Sequence, residues 1–231
     1  MMAQVLAESL WTSKARHTVE LAPAVADMLT RSGVKMEQVK VLGVAIGPGS
    51  FTALRVGLSF IKGMALALAL PVVGVNTLDV VAASQAAGNL PLACLLPAGR
   101  TRHAVGWYHT GTGKKSVWQP MDAPSIMTIE ALAESISQEC VICGDLNASE
   151  RQILKRNGLI RLVSPALSTR RPAILAELAF ARWQAGSLDE AASLAPIYLH
   201  LADPIPADSS GTFPVESSGT FPVELSGAKP L

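Results

Sequence analysis

Apolar positions return at helical spacing over residues 17–32, where Leu21, Val25, Met28 and Leu29 share one side, and Gly33 stands next as a stop. This predicts an amphipathic helix. A continuous apolar run over 39–46 predicts a strand, 51–70 a long helix, and 72–75 a second strand. That order favours parallel pairing, because the helix supplies the crossover. Residues 92–96 and 104–109 read as strands, and the Gly111-Thr112-Gly113 turn leads into a strand over 116–119. Helices are predicted over 128–138 and 149–157, with a strand at 140–143 between them. Residues 172–185 read as an amphipathic helix with Pro172 in its first turn and Gly186 past its end. Helices and strands alternate as in an α/β fold.

The junction between the first strand and the long helix has its own chemistry. It reads Gly47-Pro48-Gly49-Ser50-Phe51-Thr52-Ala53-Leu54-Arg55-Val56-Gly57. Gly47 and Gly49 permit backbone angles and close approaches closed to other residues. Pro48 fixes one turn angle, and Ser50 or Thr52 can cap the helix. Free N–H groups and the helix dipole favour an anion at such a terminus. Gly47, Gly49, Ser50, Thr52 and Arg55 are therefore the candidate anion or nucleotide contacts. For Arg55 a structural role, an ion pair or a clamp on a carbonyl, is the equal alternative.

Composition narrows the function classes. The chain has 231 residues and a net charge of +1, so no global basic field argues for autonomous nucleic-acid binding. Aromatic residues make up 5%, too few for base-stacking platforms. The longest apolar stretch, 56–75, is interrupted by Lys62 and Pro71, which argues against a membrane span. The N-terminus lacks the pattern of a secretory signal. Three cysteines, Cys94, Cys140 and Cys143, suit a reducing compartment. Cys140 and Cys143 form a lone C-x-x-C, which reads as a redox pair, half a zinc site, or two buried strand residues. No second pair completes four ligands, and no metal site is expected.

No catalytic set emerges. His17, His103, His109 and His200 make no H-x-x-x-H or H-E-x-x-H pair. Ser50 lies in G-P-G-S-F, not in the G-x-S-x-G of a nucleophile elbow. Asp145, Asp27 and Glu20 are scattered along the chain. The long helix is more informative. It is apolar on nearly all sides, with Ala53 and Gly57, then Ser59, Gly63 and Ala67, at helical spacing. Such a helix has to be covered all round. It is either a central core helix, or one that packs one face on the sheet and another on a partner.

The chain divides into an N-terminal lobe over 1–90, a C-terminal lobe over 91–202 and a tail over 203–231. The tail carries Ser209-Ser210-Gly211-Thr212-Phe213-Pro214-Val215-Glu216, repeated verbatim over 217–224. Its composition cannot bury enough surface to fold alone, so disorder is expected, with a docking peptide through Phe213 and Phe221 as the alternative.

The glycine motif and the residues after it resemble a known family. G-P-G-S-F-T-A-L-R-V-G, then Lys62-Gly63-Met64-Ala65-Leu66-Ala67, then Leu70-Pro71-Val72-Val73-Gly74-Val75-Asn76-Thr77-Leu78, resemble the bacterial TsaB (YeaZ) signature without gaps over 43–78. Ala53 and Asn76 stand where that family usually has Gly and Ser. Arg16-His17-Thr18 with Leu21-Ala22-Pro23 resembles the start of the family's first helix, and Ala195-Pro196-Ile197-Tyr198-Leu199-His200 its closing P-x-Y-L-R. Pro97-Ala98-Gly99-Arg100 stands where relatives carry an Asp-led element. The family's opening strand with its I-D-T-S element has no counterpart here, and Met1 to Glu8 resemble the end of the second strand.

The resemblance implies an actin-like, two-lobed α/β fold (the ASKHA fold) without that first strand. It implies a non-catalytic scaffold that pairs with a TsaD-like subunit in forming N6-threonylcarbamoyladenosine at position 37 of tRNA. A TsaE-like ATPase is a further partner, a homodimer is possible, and tRNA is reached only through the complex. ATP and metal would belong to the partners, and the location would be cytoplasmic, off the membrane. The implied partner interface is His17, Leu21, Val25, Met28, Phe51, Leu54, Gly57, Leu58, Ile61 and Lys62. The alternatives are a stand-alone nucleotide-binding ATPase or kinase of the same fold, and a peptidase-like relative.

Overall fold

The computed structural model describes residues 4–13, 16–99, 101–111 and 117–199. Among them the order is α1 (His17–Ser32), β1 (Leu42–Gly47), α2 (Phe51–Leu68), β2 (Val72–Asn76), α3 (Thr77–Ala83), β3 (Leu92–Pro97), β4 (Arg102–Thr110), β5 (Trp118–Pro120), β6 (Ser125–Thr128), α4 (Ile129–Ser135), β7 (Cys140–Gly144), α5 (Ala148–Lys155), β8 (Ile160–Leu162) and α6 (Pro172–Gln184). The duplicated octapeptide, Arg100 and His200 lie outside the described residues.

Two sheets organise the chain. In the first, β1 and β2 run parallel, Leu42 beside Val72 and Val44 beside Gly74. Helices cover both faces, which is why both strands read as unbroken apolar runs. On one face Leu58 and Ala65 of α2 pack with Leu42, Val44 and Val72. On the other, Ala179 of α6 packs with Val73, Val75 and Val80. The approach of α6 is close, since a Cβ on Gly43 would lie 2.8 Å from the Ala179 Cβ. The second sheet has the order β5-β4-β3-β7-β8, with β6 also on β4. Its faces alternate by the two-residue period of a strand. Ala93, Leu95, Val105 and Ile142 face α4 and α5, whereas Leu92, Cys94, Leu96 and Cys143 pack with Leu78 and Val81 of α3.

Several sequence expectations shift. The first strand starts at Leu42 because Met36–Gln38 form a 3-10 turn. The long helix ends at Leu68, where Ala69 takes a left-handed conformation at φ 50° and Pro71 blocks continuation. The helix expected over 128–138 is only Ile129–Ser135, capped by the Thr128 hydroxyl at 3.2 Å from the Ala131 N–H. Three short elements, α3, β6 and β8, had no periodicity long enough to read. Residues 172–199, expected in the C-terminal lobe, return to the first sheet: α6 packs on β1 and β2, and Asp189 bridges to Val72.

The segment 4–13 forms no strand, contrary to its resemblance to the end of one. It is held by Glu8, whose carboxylate accepts from the Ala173 N–H at 2.9 Å and from Arg171 at 2.6 Å. A charge from 165 residues away thus caps α6, whose own N-cap, Arg171, makes no side-chain cap. These hydrogen bonds, Arg171 foremost, hold the Glu8 carboxyl below its ordinary range.

The C-x-x-C is not a pair in space. Cys140 and Cys143 sit on opposite faces of β7, and Cys143 meets Cys94 of β3 instead, Sγ to Sγ 3.5 Å. All three thiols are buried, and burial pushes Cys94 and Cys140 up, away from the reactive thiolate.

Beside that pair, the Tyr108 hydroxyl donates to Asp79 at 2.7 Å. Burial raises the Asp79 carboxyl above its ordinary range, against the hydrogen bond from Tyr108 and the field of Arg182. A carboxyl raised in the folded state stabilises most below its unfolded value of about 3.9, and that contribution is lost as pH rises through the folded value. Asp79→Asn keeps the acceptor for Tyr108 and removes the buried charge. Thermal melts are expected to show a higher Tm than wild type at pH 7.5 and a shallower decline from pH 4 upward. A lower Tm at pH 7.5 would contradict this account.

Candidate functional site

The glycine loop lies at the C-terminal ends of β1 and β2, where α/β sheets commonly bind ligands. Here its mouth is closed by the chain itself. Residues 189–199 form a strap across the first sheet. The Asp189 N–H donates to the Val72 carbonyl at 3.0 Å, and the Asp189 carboxylate accepts from the Gly74 N–H at 2.8 Å. Lys62 donates to the Ala192 carbonyl at 3.0 Å, and the Ile197 N–H donates to the Ile46 carbonyl at 2.7 Å. Gly47 has φ 108°, and a Cβ there would lie 2.8 Å from the Ile197 carbonyl oxygen. The strap therefore demands this glycine. A carbonyl oxygen at that point would repel a phosphate oxygen placed against Gly47.

The other cradle residues have ordinary structural duties. Ser50 caps α2 by accepting from the Ala53 N–H at 3.5 Å; Thr52 is exposed, and a Cβ on Gly49 would meet the Leu54 side chain at 3.8 Å. Arg55 is neither ion-paired nor bound to a carbonyl among the described residues. Its guanidinium carbon lies 3.7 Å from the centre of the Phe51 ring, and its Nε donates to the Tyr198 hydroxyl at 3.2 Å. The Phe51 and Tyr198 rings pack in a tilted pair, centroids 5.2 Å apart and planes at 34°.

The expected interface residues separate into two sets. Leu54, Leu58 and Ile61 fall on the inner side of α2, and Leu58, 5% exposed, belongs to the core. Lys62 is tied to the strap. Of these four, Leu58 is buried and has no surface to offer a partner, while Leu54, Ile61 and Lys62 are half-buried. The helix is apolar on every side, so its period could not say which side faced inward.

The others are Phe51, exposed, and Gly57, half-buried, on α2, with His17, Leu21, Val25 and Met28 half-buried on α1. Helix α1 leans on α2 and has no buried residue. Between them lies a hollow of about 360 Å³ lined by Thr18, Leu21, Ala22, Arg55, Val56, Ser59 and Phe60. The same two helices also carry exposed apolar side chains: Val19, Phe51 and, 88% exposed, Leu66. Tyr198 was missed as a site residue, since nothing in its spacing relates it to Arg55, 143 residues away.

Among the described residues no three His, Cys, Asp or Glu side chains converge as metal ligands. Helix α2 is the one described helix long and apolar enough, by length and composition, to cross a membrane; Leu58 and Ala65 on its inner side are buried against the sheet.

Comparison with known proteins places this geometry. The family model described as TsaD, tRNA N6-adenosine threonylcarbamoyltransferase, matches residues 4–121, about half of the chain. The TsaB protein of Escherichia coli K12, named for tRNA threonylcarbamoyladenosine biosynthesis, is 30% identical over 122 residues, 53% of each chain. The Bacillus subtilis TsaB protein is 34% identical over 80 residues, 35% of each. A tRNA N6-adenosine threonylcarbamoyltransferase of Anaeromyxobacter dehalogenans is 46% identical over 63 residues, 27% of this chain and 19% of that one. The chain spans about half the length, or less, of the curated relatives it matches. The solved structure of YeaZ from Pseudomonas aeruginosa superposes with a TM-score of 0.63 at 24% identity, over 80% of this chain and 85% of that one, and shares the fold. With an actin-like α/β fold, a transferase-family match across α1 and α2, and TsaB-named relatives, the chain belongs to the TsaB/YeaZ branch of the TsaD family.

Proposed function

We propose that the chain is a non-catalytic subunit of the machinery that forms N6-threonylcarbamoyladenosine at position 37 of tRNA. It docks the outward face of α1 and α2 on a TsaD-type catalytic subunit and stabilises that subunit's competent conformation, a shift of population.

One observation carries the docking: Gly57 and Gly63 stand inside α2, and a Cβ on either would meet nothing within 4 Å. Neither has a left-handed φ, so nothing in this chain requires a glycine there. Each costs the helix about 1 kcal/mol relative to alanine. They stand about 120° apart around the helix, and a second helix that packs closely beside α2 is the physical use for an open glycine such as Gly63. The transferase-family match itself spans α1 and α2, which supports a partner built on the same pair of helices.

The strap over the glycine loop favours placing ATP and metal with the partners, a TsaD-like transferase and a TsaE-like ATPase. It also disfavours a stand-alone nucleotide-binding enzyme. A second copy of the chain would compete for the same face. On this reading tRNA is reached only through the complex, in the cytoplasm.

The test is to mix the chain with the TsaD-type transferase of its own organism and measure size-exclusion elution and tRNA modification. A one-to-one complex and a modification rate that rises with added chain are expected. A folded chain that elutes alone and leaves the rate unchanged refutes the proposal.

A further inference from the structure

We infer that Phe51, Arg55 and Tyr198 form a preformed fork for one carboxylate of the docking partner, an Asp or Glu side chain on the helix that packs against α2. This rests on the docking proposed above and adds its specificity-determining contact.

The geometry is that of a held guanidinium. The Arg55 guanidinium carbon lies 3.7 Å from the centre of the Phe51 ring, while its Nε donates to the Tyr198 hydroxyl at 3.2 Å. Among the described residues no acceptor engages either Nη atom. Two contacts, one to the ring and one to the hydroxyl, restrict the guanidinium and leave both Nη groups for an outside acceptor. A planar fork of N–H donors matches a carboxylate bidentately, and pre-orientation lowers the entropy lost on binding.

The surrounding charges set the sign of the occupant. Helix α2 contains no Asp or Glu. On α1, Glu20 accepts from Trp11 and Asp27 is paired with Arg31. The cation Lys62 is engaged by the strap. Among the described residues Arg55 is thus an unpaired positive charge. It also lines the hollow between α1 and α2, next to the partly exposed aromatics Phe51 and Tyr198. Arginine with aromatic neighbours is the composition of an interface hot spot. The Ile197 carbonyl oxygen stands beside Gly47 at the edge of this site and would repel a second anion there, and a single partner carboxylate is the anion the guanidinium fork is matched to.

The experiment measures affinity for the TsaD-type transferase of the same organism by titration calorimetry, with Gly63→Trp as the control for docking. Arg55→Ala is expected to weaken binding about thirtyfold and to flatten its salt dependence. Arg55→Lys, which keeps the charge and loses the fork, is expected to weaken it about tenfold. Tyr198→Phe, which keeps the ring pair and frees the guanidinium, is expected to weaken it about threefold. Tm values check that each variant folds, and the two conservative changes decide the matter if Arg55→Ala does not. If Gly63→Trp abolishes binding while all three variants stay within twofold of wild type, the fork is overturned and the docking stands. If Arg55→Lys binds like wild type, a point charge suffices and the fork is overturned. If the chain alone binds pyrophosphate through Arg55, the site takes phosphate and the carboxylate assignment falls. If wild type does not bind the transferase, both readings fall together.

Discussion

Replacing Gly144 with alanine is expected to unfold the second sheet or leave it barely folded. Gly144 ends β7 at φ 136°, and a Cβ there would lie 2.0 Å from the Leu95 carbonyl oxygen and 2.8 Å from the Leu95 nitrogen. Both atoms are backbone of the neighbouring strand. The strand pair cannot yield without breaking its own ladder, since Leu95 is the register partner of Gly144 and accepts from the Asp145 N–H at 3.1 Å. The expected destabilisation is above about 4 kcal/mol, which for a chain of this size lowers Tm by more than about 10 °C. Gly88→Ala is the contrast, because a Cβ there meets nothing within 4 Å. Its Tm is expected to stay within about 3 °C of wild type. Soluble yield and thermal melts decide it, and a Gly144→Ala protein that melts like wild type would show the strand pair to be softer than its geometry implies.

The second large effect separates stability from binding at one position. Gly63→Ala should stabilise the isolated chain by about 0.5–1 kcal/mol, because it removes a glycine from a helix interior where the space is open. Gly63→Trp should fold as well as wild type and lose about a hundredfold in affinity for the TsaD-type partner, since an indole on a closely packed helix face holds the helices apart. Opposite responses in the two assays are expected of a residue kept for a contact outside the chain. If the tryptophan variant binds within threefold of wild type, this face of α2 is not the docking surface.

Legibility differed between fold and site for a physical reason. The bounds of α1 were readable to the residue because one apolar stripe, repeated over four turns and ended by Gly33, admits a single reading. The two parallel strands flanking α2 were readable because burial on both faces leaves unbroken apolar runs. Strands β6 and β8, of four and three residues, carry too few positions for any period to register. The inner and outer sides of α2 were illegible because Leu58, which is buried, and Leu66, which is exposed, have the same side chain.

The sequence by itself determined the class of fold, the family and the glycine loop, since all three are local or contiguous. Periodicity sets elements, and an ungapped motif over 43–78 sets kinship. Only the tertiary structure showed what the loop packs against. Gly47 is required by a carbonyl 150 residues further along, at Ile197, and Arg55 is aimed by Tyr198. It likewise separated Cys140 from Cys143 and paired Cys143 with Cys94. Each is a meeting of groups distant in the chain, and such meetings depend on how whole elements pack, to which the spacing of residues along one element is blind.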